Sequence, residues 1–174
     1  MRYAVAFVLA WFIAVANVSA LAYVKVLGVT PDFVLIFAAC WAVIRNEEEA
    51  LVVVPVCGLL RDLLSSDPTG TAILGFAPIV LFAALARSQP IDSDFPPAVA
   101  VVAAGTLVFA IVQTGVLGLT GQSIDVWQVA FRVIVPAVVI NALFTPILYL
   151  PVRWLSPRRA LAMQGGRRLT APLT

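Results

Sequence analysis

Two charged side chains stand in a strongly apolar stretch and raise the first question of chemistry. The segment GLLRDLLSSDPTG, residues 58–70, sets Arg61 beside Asp62 among Leu and Ser residues. Charges in apolar surroundings are costly unless they are paired, so each must bind a ligand or a partner segment, or take part in a structural ion pair. Neighbouring residues on a helix point about 100° apart, so these two cannot pair well with each other. Each of them needs a partner elsewhere in the chain.

The rest of the sequence makes catalysis a poor fit. The chain has no His and a single Lys, Lys25, which excludes histidine acid–base chemistry and His-ligated metals. It also lacks carboxylates at glycosidase-like spacing and a nucleophile with a base. Cys40 and Cys57 stand singly in apolar runs without metal-ligand spacing, so they are interpreted as small apolar fillers rather than a redox or metal pair. We therefore predict no catalytic residue, no cofactor and no metal.

The composition predicts an integral membrane protein with one membrane domain. Of the 174 residues, 62% are hydrophobic and 11% are charged. A soluble domain carries about 25% charged residues, which this chain lacks. We expect the lipid bilayer to be its surroundings, and nucleic acid not to be a partner.

Apolar runs predict an all-α fold of about six transmembrane helices. The runs cover residues 3–24, 31–44, 50–65, 71–86, 98–119 and 126–154. The first has the length of a span rather than of a signal-peptide core. The second and third are short, so they either cross the bilayer with local thinning or form a hairpin that does not cross fully. The last is expected to be kinked at Pro136 and Pro146. We predict a membrane domain over residues 1–155 and a flexible basic tail over 156–174.

The distribution of basic residues predicts the topology. With six spans both termini lie on one side of the membrane, and eight of the eleven Lys and Arg residues fall on that side. Basic loops stay in the cytoplasm, so both termini are predicted to be cytoplasmic in a multi-pass protein of the bacterial inner membrane. The Arg-rich tail either enforces this topology or also binds anionic headgroups. The acidic run Glu47–Glu49, near Arg45, is interpreted as a solvated cytoplasmic turn.

The few polar residues inside the predicted spans are the candidate site. Asp62 and Arg132 lie at a similar depth, about one turn inside the outer surface, so an Asp62–Arg132 bridge is the leading hypothesis. Arg61 is then expected to extend to the outer interface. The alternatives are a polar pocket for a ligand or partner segment and a purely structural ion pair. Asn17 and Asn141 are expected to form interhelical hydrogen bonds.

Glycines on the predicted fifth span favour close helix packing. They are Gly105, Gly115 and Gly118.

Short motifs between residues 31 and 75 resemble the MreD family of rod shape-determining membrane proteins. Pro31 and Asp32 open the second span as in that family, and Gly58, Asp62 and Gly70 match its Gly-x-x-x-Asp-Leu-Leu stretch followed by a Gly. The chain length, the number of spans and the short basic tail fit as well. Pro31, Asp32, Gly58, Arg61, Asp62, Gly70 and Arg132 are accordingly the candidates for structural or partner-binding roles.

The resemblance implies a fold and a cellular role. The fold would be that of the substrate-binding subunits of energy-coupling-factor transporters. The role would be that of a non-enzymatic scaffold and regulator in the elongation complex for lateral peptidoglycan synthesis. Its direct partner would be MreC-like, a single-span protein, alongside the MreB filament, a SEDS glycosyltransferase and a class B penicillin-binding transpeptidase. We expect the partner's span to dock on an apolar groove next to spans three and four.

The alternative function is a vitamin-like small-molecule-binding subunit of a membrane transporter. Binding pockets of that kind need several polar and aromatic groups that converge on the ligand. The predicted outer loops KVLGVT, SSDPTG and TGQSID are short and plain, which favours the scaffold.

Overall fold

Six α-helices make up most of the part of the chain that the structure describes. The structure is a computed structural model, and it describes residues 2–19, 23, 26, 28–66, 68–89, 93–120 and 130–156. The helices are α1 (Arg2–Ser19), α2 (Phe33–Ile44), α3 (Glu47–Leu64), α4 (Thr71–Arg87), α5 (Phe95–Leu119) and α6 (Val135–Trp154). A π-helical turn, Ala130–Ile134, leads into α6. Within the described residues the prediction of an all-α fold with six helical segments is confirmed.

Two helices begin three residues earlier than predicted. Helix α3 starts at Glu47 rather than at residue 50, with three Glu residues in its first turn, where negative charge is favourable. Helix α5 starts at Phe95, and Pro residues occupy its first positions, where no backbone N–H is needed. Residues 126–129 of the predicted sixth span lie outside the described residues, as does the tail from residue 157 onward.

Helix α2 is the centre of the bundle. All twelve of its residues are buried, and it packs against each of the other five helices. A helix of this length measures about 18 Å, well short of the roughly 30 Å of a hydrocarbon core. The second predicted span is therefore an enclosed core helix whose two ends both lie within the bundle.

In the part of the chain that the structure describes, two helical segments are long and apolar enough to cross a membrane unaided. They are Phe95–Leu119 and Phe131–Trp154, while Tyr3–Ser19, Phe33–Ile44 and Thr71–Arg87 are shorter apolar helices. The count of six complete crossings stays a prediction.

Small residues set the closest helix contacts. Ala6, Ala10 and Ala14 form a buried stripe on α1, which packs against α2 and α3. A Cβ placed on Gly75 of α4 would lie 3.1 Å from the Cα of Phe109 on α5. A Cβ on Gly105 would lie 3.0 Å from Ile79, which confirms the packing role predicted for this glycine.

The same prediction is wrong for the two later glycines. A Cβ on Gly115 or Gly118 would meet no described atom within 4 Å. These positions of α5 have open space where a close helix contact was expected.

Two glycines on neighbouring helices allow a matched test of this packing. Gly75→Ala forces a Cβ against the α5 backbone, so it should lower the free energy of unfolding by about 1–3 kcal/mol, as overpacking does. Gly115→Ala meets open space and should be neutral or slightly stabilising, because Ala favours the helix. The measurement is thermal unfolding in detergent. Unfolding is monitored by the labelling of Cys40 and Cys57 with a thiol reagent, because both are free and buried in the folded protein. Equal midpoints for the two variants would contradict the close α4–α5 contact.

Candidate functional site

Asp32 and Arg61 form an ion pair at the N-terminal end of α2. The Arg61 Nε donates to the Asp32 Oδ2 at 2.6 Å. The guanidinium also lies over the ring of Phe109, with its carbon 4.4 Å from the ring centroid. The side chain of Arg61 is 17% exposed and that of Asp32 is 11% exposed, so solvent screens the pair weakly. Arg61 thus joins α3 to α2 and α5, and the prediction that it extends to the outer interface is wrong.

Asp32 also caps α2. Its Oδ1 accepts a hydrogen bond from the backbone N–H of Leu35 at 3.1 Å, which satisfies one of the donors that a helix N-terminus leaves without an intrahelical acceptor. Negative charge is also stabilised there by the helix dipole. Pro31, the other member of the Pro-Asp pair, is buried directly before this cap. One carboxylate therefore serves the start of α2 and the side chain from α3.

Side-chain amides from two further helices complete this end of α2. The Asn141 Oδ1 of α6 accepts from the backbone N–H of Asp32 at 2.9 Å, and its Nδ2 donates to the Thr106 Oγ1 of α5 at 3.0 Å. The Asn17 Oδ1 of α1 accepts from the backbone N–H of Phe33 at 3.3 Å. The predicted role of both Asn residues as interhelical hydrogen-bonding groups is confirmed. Five helices thus meet in one polar network around the first residues of α2.

Asp62 caps the start of α4 rather than pairing with a cation. Its Oδ1 accepts from the backbone N–H of Ala72 at 2.9 Å, and its Oδ2 accepts from those of Gly70 at 3.0 Å and Ile73 at 3.2 Å. Gly70 occupies the N-cap position of α4 and has no side chain to cap with. The carboxylate of α3 supplies what a Ser or Asp at that position ordinarily supplies.

The two glycines of the same motif make this capping contact possible. Gly58 lies one turn before Asp62 on α3, and a Cβ there would come within 2.9 Å of the Ile73 Cα. Gly70 has φ +98°, in the left-handed region that glycine adopts without a steric cost. Gly58 therefore brings α3 against the first turn of α4, and Gly70 aims that turn at Asp62.

Arg132 lies apart from this network. It is exposed on the π-helical turn before α6, whereas Asp62 is 4% exposed and directs both oxygens at α4. The predicted Asp62–Arg132 bridge is therefore wrong. A similar depth along two spans does not decide the pairing, because the N-terminus of α4 lies within hydrogen-bond distance of Asp62.

A second polar cluster, which sequence reasoning missed, holds the C-terminal end of α2. The Arg87 Nη1 of α4 donates to the backbone carbonyls of Ala42 and, at 3.2 Å, of Arg45. Arg45 in turn lies 3.6 Å from Glu49, which is 4% exposed. Glu49 is thus a buried partner, and the predicted fully solvated acidic turn is wrong at this residue. Glu47 and Glu48 are exposed as expected.

Two grooves on the described surface are lined almost entirely by apolar side chains. One, of about 140 Å³, lies between α1 and α3 and is lined by Tyr3, Ala6, Phe7, Ala10, Val52, Val53 and Val56. The other, of about 350 Å³, lies between α5 and α6 and is lined by Ala103, Ala104, Leu107, Ile134, Val135, Val138 and Val139. Neither of these two grooves is lined by a side chain of the polar network, whose observed contacts are helix caps and helix–helix attachments.

Removal of the α4 cap tests the role of Asp62. Asp62→Ala leaves three backbone donors without their acceptor, and it should lower the free energy of unfolding by about 2–3 kcal/mol. Asp62→Asn keeps one acceptor oxygen and should lose less. The midpoint of thermal unfolding in detergent measures both, and an unchanged midpoint for Asp62→Ala would contradict the capping role.

A double-mutant cycle tests the Asp32–Arg61 pair. Asp32→Asn retains the α2 cap but removes the charge, and Arg61→Gln removes the opposite charge. Each single variant should lose about 3 kcal/mol because one buried charge loses its partner. The double variant should lose clearly less than the sum of the two. Strict additivity of the two losses would show that the side chains do not interact.

Comparison with known proteins identifies the family to which the Pro-Asp and Gly-x-x-x-Asp-Leu-Leu motifs belong. The family model of the rod shape-determining protein MreD matches residues 1–158, nearly the whole chain. No curated protein sequence and no solved structure gives a significant match. Four of the residues that carried the resemblance, Asp32, Gly58, Asp62 and Gly70, join α2, α3 and α4. The chain belongs to the MreD family of membrane proteins that determine rod shape.

Proposed function

We propose that this chain is a non-enzymatic membrane scaffold and regulator of the elongation complex that synthesises lateral peptidoglycan, and that it binds an MreC-like single-span protein. The observation that supports this most directly is the use of its interior charges. Asp32, Arg61 and Asp62 each bond to other helices of the bundle, and neither of the two described grooves includes them. Such an interior stabilises a fixed shape, which is what a scaffold requires.

The outer surface fits a protein that presents apolar faces to lipid or to partner helices. Exposed large apolar side chains occur on every helix except α2. Examples are Phe12, Leu63, Leu74, Ile111 and Leu143. In a membrane, helices associate through van der Waals contacts between such faces. This surface gives a single-span partner several apolar faces on which to pack.

The location, the topology and the further partners that we propose are those expected for the MreD family. The chain would lie in the bacterial inner membrane with six spans and both termini in the cytoplasm, and the basic tail of residues 156–174 would lie there too. Its complex would include the MreB filament, a SEDS glycosyltransferase and a class B penicillin-binding transpeptidase. A likeness to energy-coupling-factor subunits is also proposed.

The alternative, a vitamin-binding transporter subunit, requires converging polar groups. Both described grooves are lined by apolar side chains alone, apart from the hydroxyl of Tyr3. Neither of these two grooves offers the converging polar groups that such a subunit requires.

Co-purification with the MreC-like protein of the same genome tests the proposal. The full-length chain and that partner are co-expressed, and the partner carries the affinity tag. The expected result is retention at about equal stoichiometry after detergent extraction. A single-span protein of equal apolar length and unrelated sequence is the matched control. Equal retention by the control, or a bound vitamin without any protein partner, would reject the scaffold.

Cysteine cross-linking locates the docked span. The buried Cys40 and Cys57 are replaced by Ala, and single Cys residues are introduced at the exposed Leu63 of α3 and Leu74 of α4. Cross-links to the partner's span are expected at these two positions. The exposed Leu143 of α6 is the control, and cross-links at Leu143 alone would rule out docking next to α3 and α4.

A further inference from the structure

We propose that the groove between α5 and α6 binds an acyl chain of an anionic phospholipid whose phosphate contacts Arg132. The groove has a volume of about 350 Å³ and only apolar lining, with Ala103 and Ala104 of α5 facing Val135, Val138 and Val139 of α6. The two helices belong to the segments long and apolar enough to cross a membrane. In a bilayer this hollow faces hydrocarbon and must be filled.

Arg132 supplies the charge that selects the occupant. It is exposed and is the single charged residue between Asp125 and Arg153 in the sequence. It stands in the π-helical turn, two residues before Ile134 at the start of the groove lining and seven before Val139 at its end. The rise of a helix places it about 10 Å from the far end of the groove lining. A cation at one end of an apolar hollow complements an amphiphile with an anionic head and an apolar tail.

The shape of the hollow favours a lipid over a partner helix. The two alanines leave a local depression between α5 and α6, whereas a helix packed at 8–10 Å needs a long continuous face. The guanidinium forms charge-assisted hydrogen bonds with phosphate oxygens, and an Arg side chain reaches the headgroup level while its stem lies along apolar surface. The apolar lining and the terminal cation thus match the two parts of one phospholipid.

Native mass spectrometry of the purified full-length chain tests the proposal. The probes are phosphatidylglycerol and phosphatidylethanolamine with identical acyl chains, offered in equal amounts. Arg132→Gln should reduce retention of phosphatidylglycerol about fivefold, while Arg132→Lys keeps the charge and should retain it. Ala104→Phe fills the groove and should reduce retention of both lipids. Leu81→Phe adds similar bulk at an exposed position of α4, a helix that does not line the groove, so its retention of both lipids should equal that of the unchanged chain.

Two results would overturn the lipid site. One is retention of phosphatidylglycerol that neither Arg132→Gln nor Ala104→Phe changes, which indicates non-specific surrounding lipid only. The other is an Ala104→Phe variant that releases the MreC-like partner and still retains phosphatidylglycerol, which assigns the groove to a protein helix. Thermal unfolding of each variant shows whether it is folded, and Arg132→Gln, at an exposed position, keeps the test valid if Ala104→Phe does not fold.

Discussion

The constraint on which the rest of the bundle depends is that both ends of α2 are enclosed by protein. A helix end leaves backbone donors or acceptors without intrahelical partners, and where protein surrounds that end they need partners from other parts of the chain. Here the N-terminal end receives Asp32, Asn141 and Asn17, and the C-terminal end receives Arg87. These side chains come from α1, α4 and α6 as well as from the residue before α2. The charges also follow the helix dipole, with a carboxylate at the positive end and a guanidinium at the negative end.

The N-terminus of α4 is likewise capped by a side chain from another helix, in this case α3. The capping side chain is Asp62 on α3, because Gly70 has the left-handed conformation that the turn needs and no side chain of its own. Gly58 then has to be small, since α3 carries Asp62 to within hydrogen-bond distance of the α4 backbone. The three residues of the family motif therefore depend on one another: Gly70 requires a cap from elsewhere, Asp62 supplies it, and Gly58 allows α3 to come close enough. Arg61, next to Asp62, points to a different helix and links this unit to α2.

The helices could be predicted from the sequence, whereas their side-chain partners could not. Apolar runs bounded by Pro, Gly and charged residues are local signals, and they located the segments that became α1 to α6. The pairing of Arg61 with Asp32 depends on which helices are adjacent, and hydropathy carries no such information. One signal was present: an Asp directly before an apolar run is a helix N-cap, so Asp32 could have been assigned as the cap of α2. Glu49 misled for the opposite reason, because its charged neighbours made it resemble a solvated residue while α3 turns it inward.

The cap that α6 provides has a consequence for how the chain is made. Asn141 is 109 residues downstream of the Asp32 N–H that it accepts from. At the usual pace of translation, the ribosome needs roughly 5 to 20 seconds to synthesise that interval. During this time α2 has left the ribosome without the amide from α6, and it is too short to span the bilayer by itself. The nascent chain must therefore hold α2 among protein surfaces, those of the insertion machinery or of its own first helices, until α6 arrives and supplies the amide.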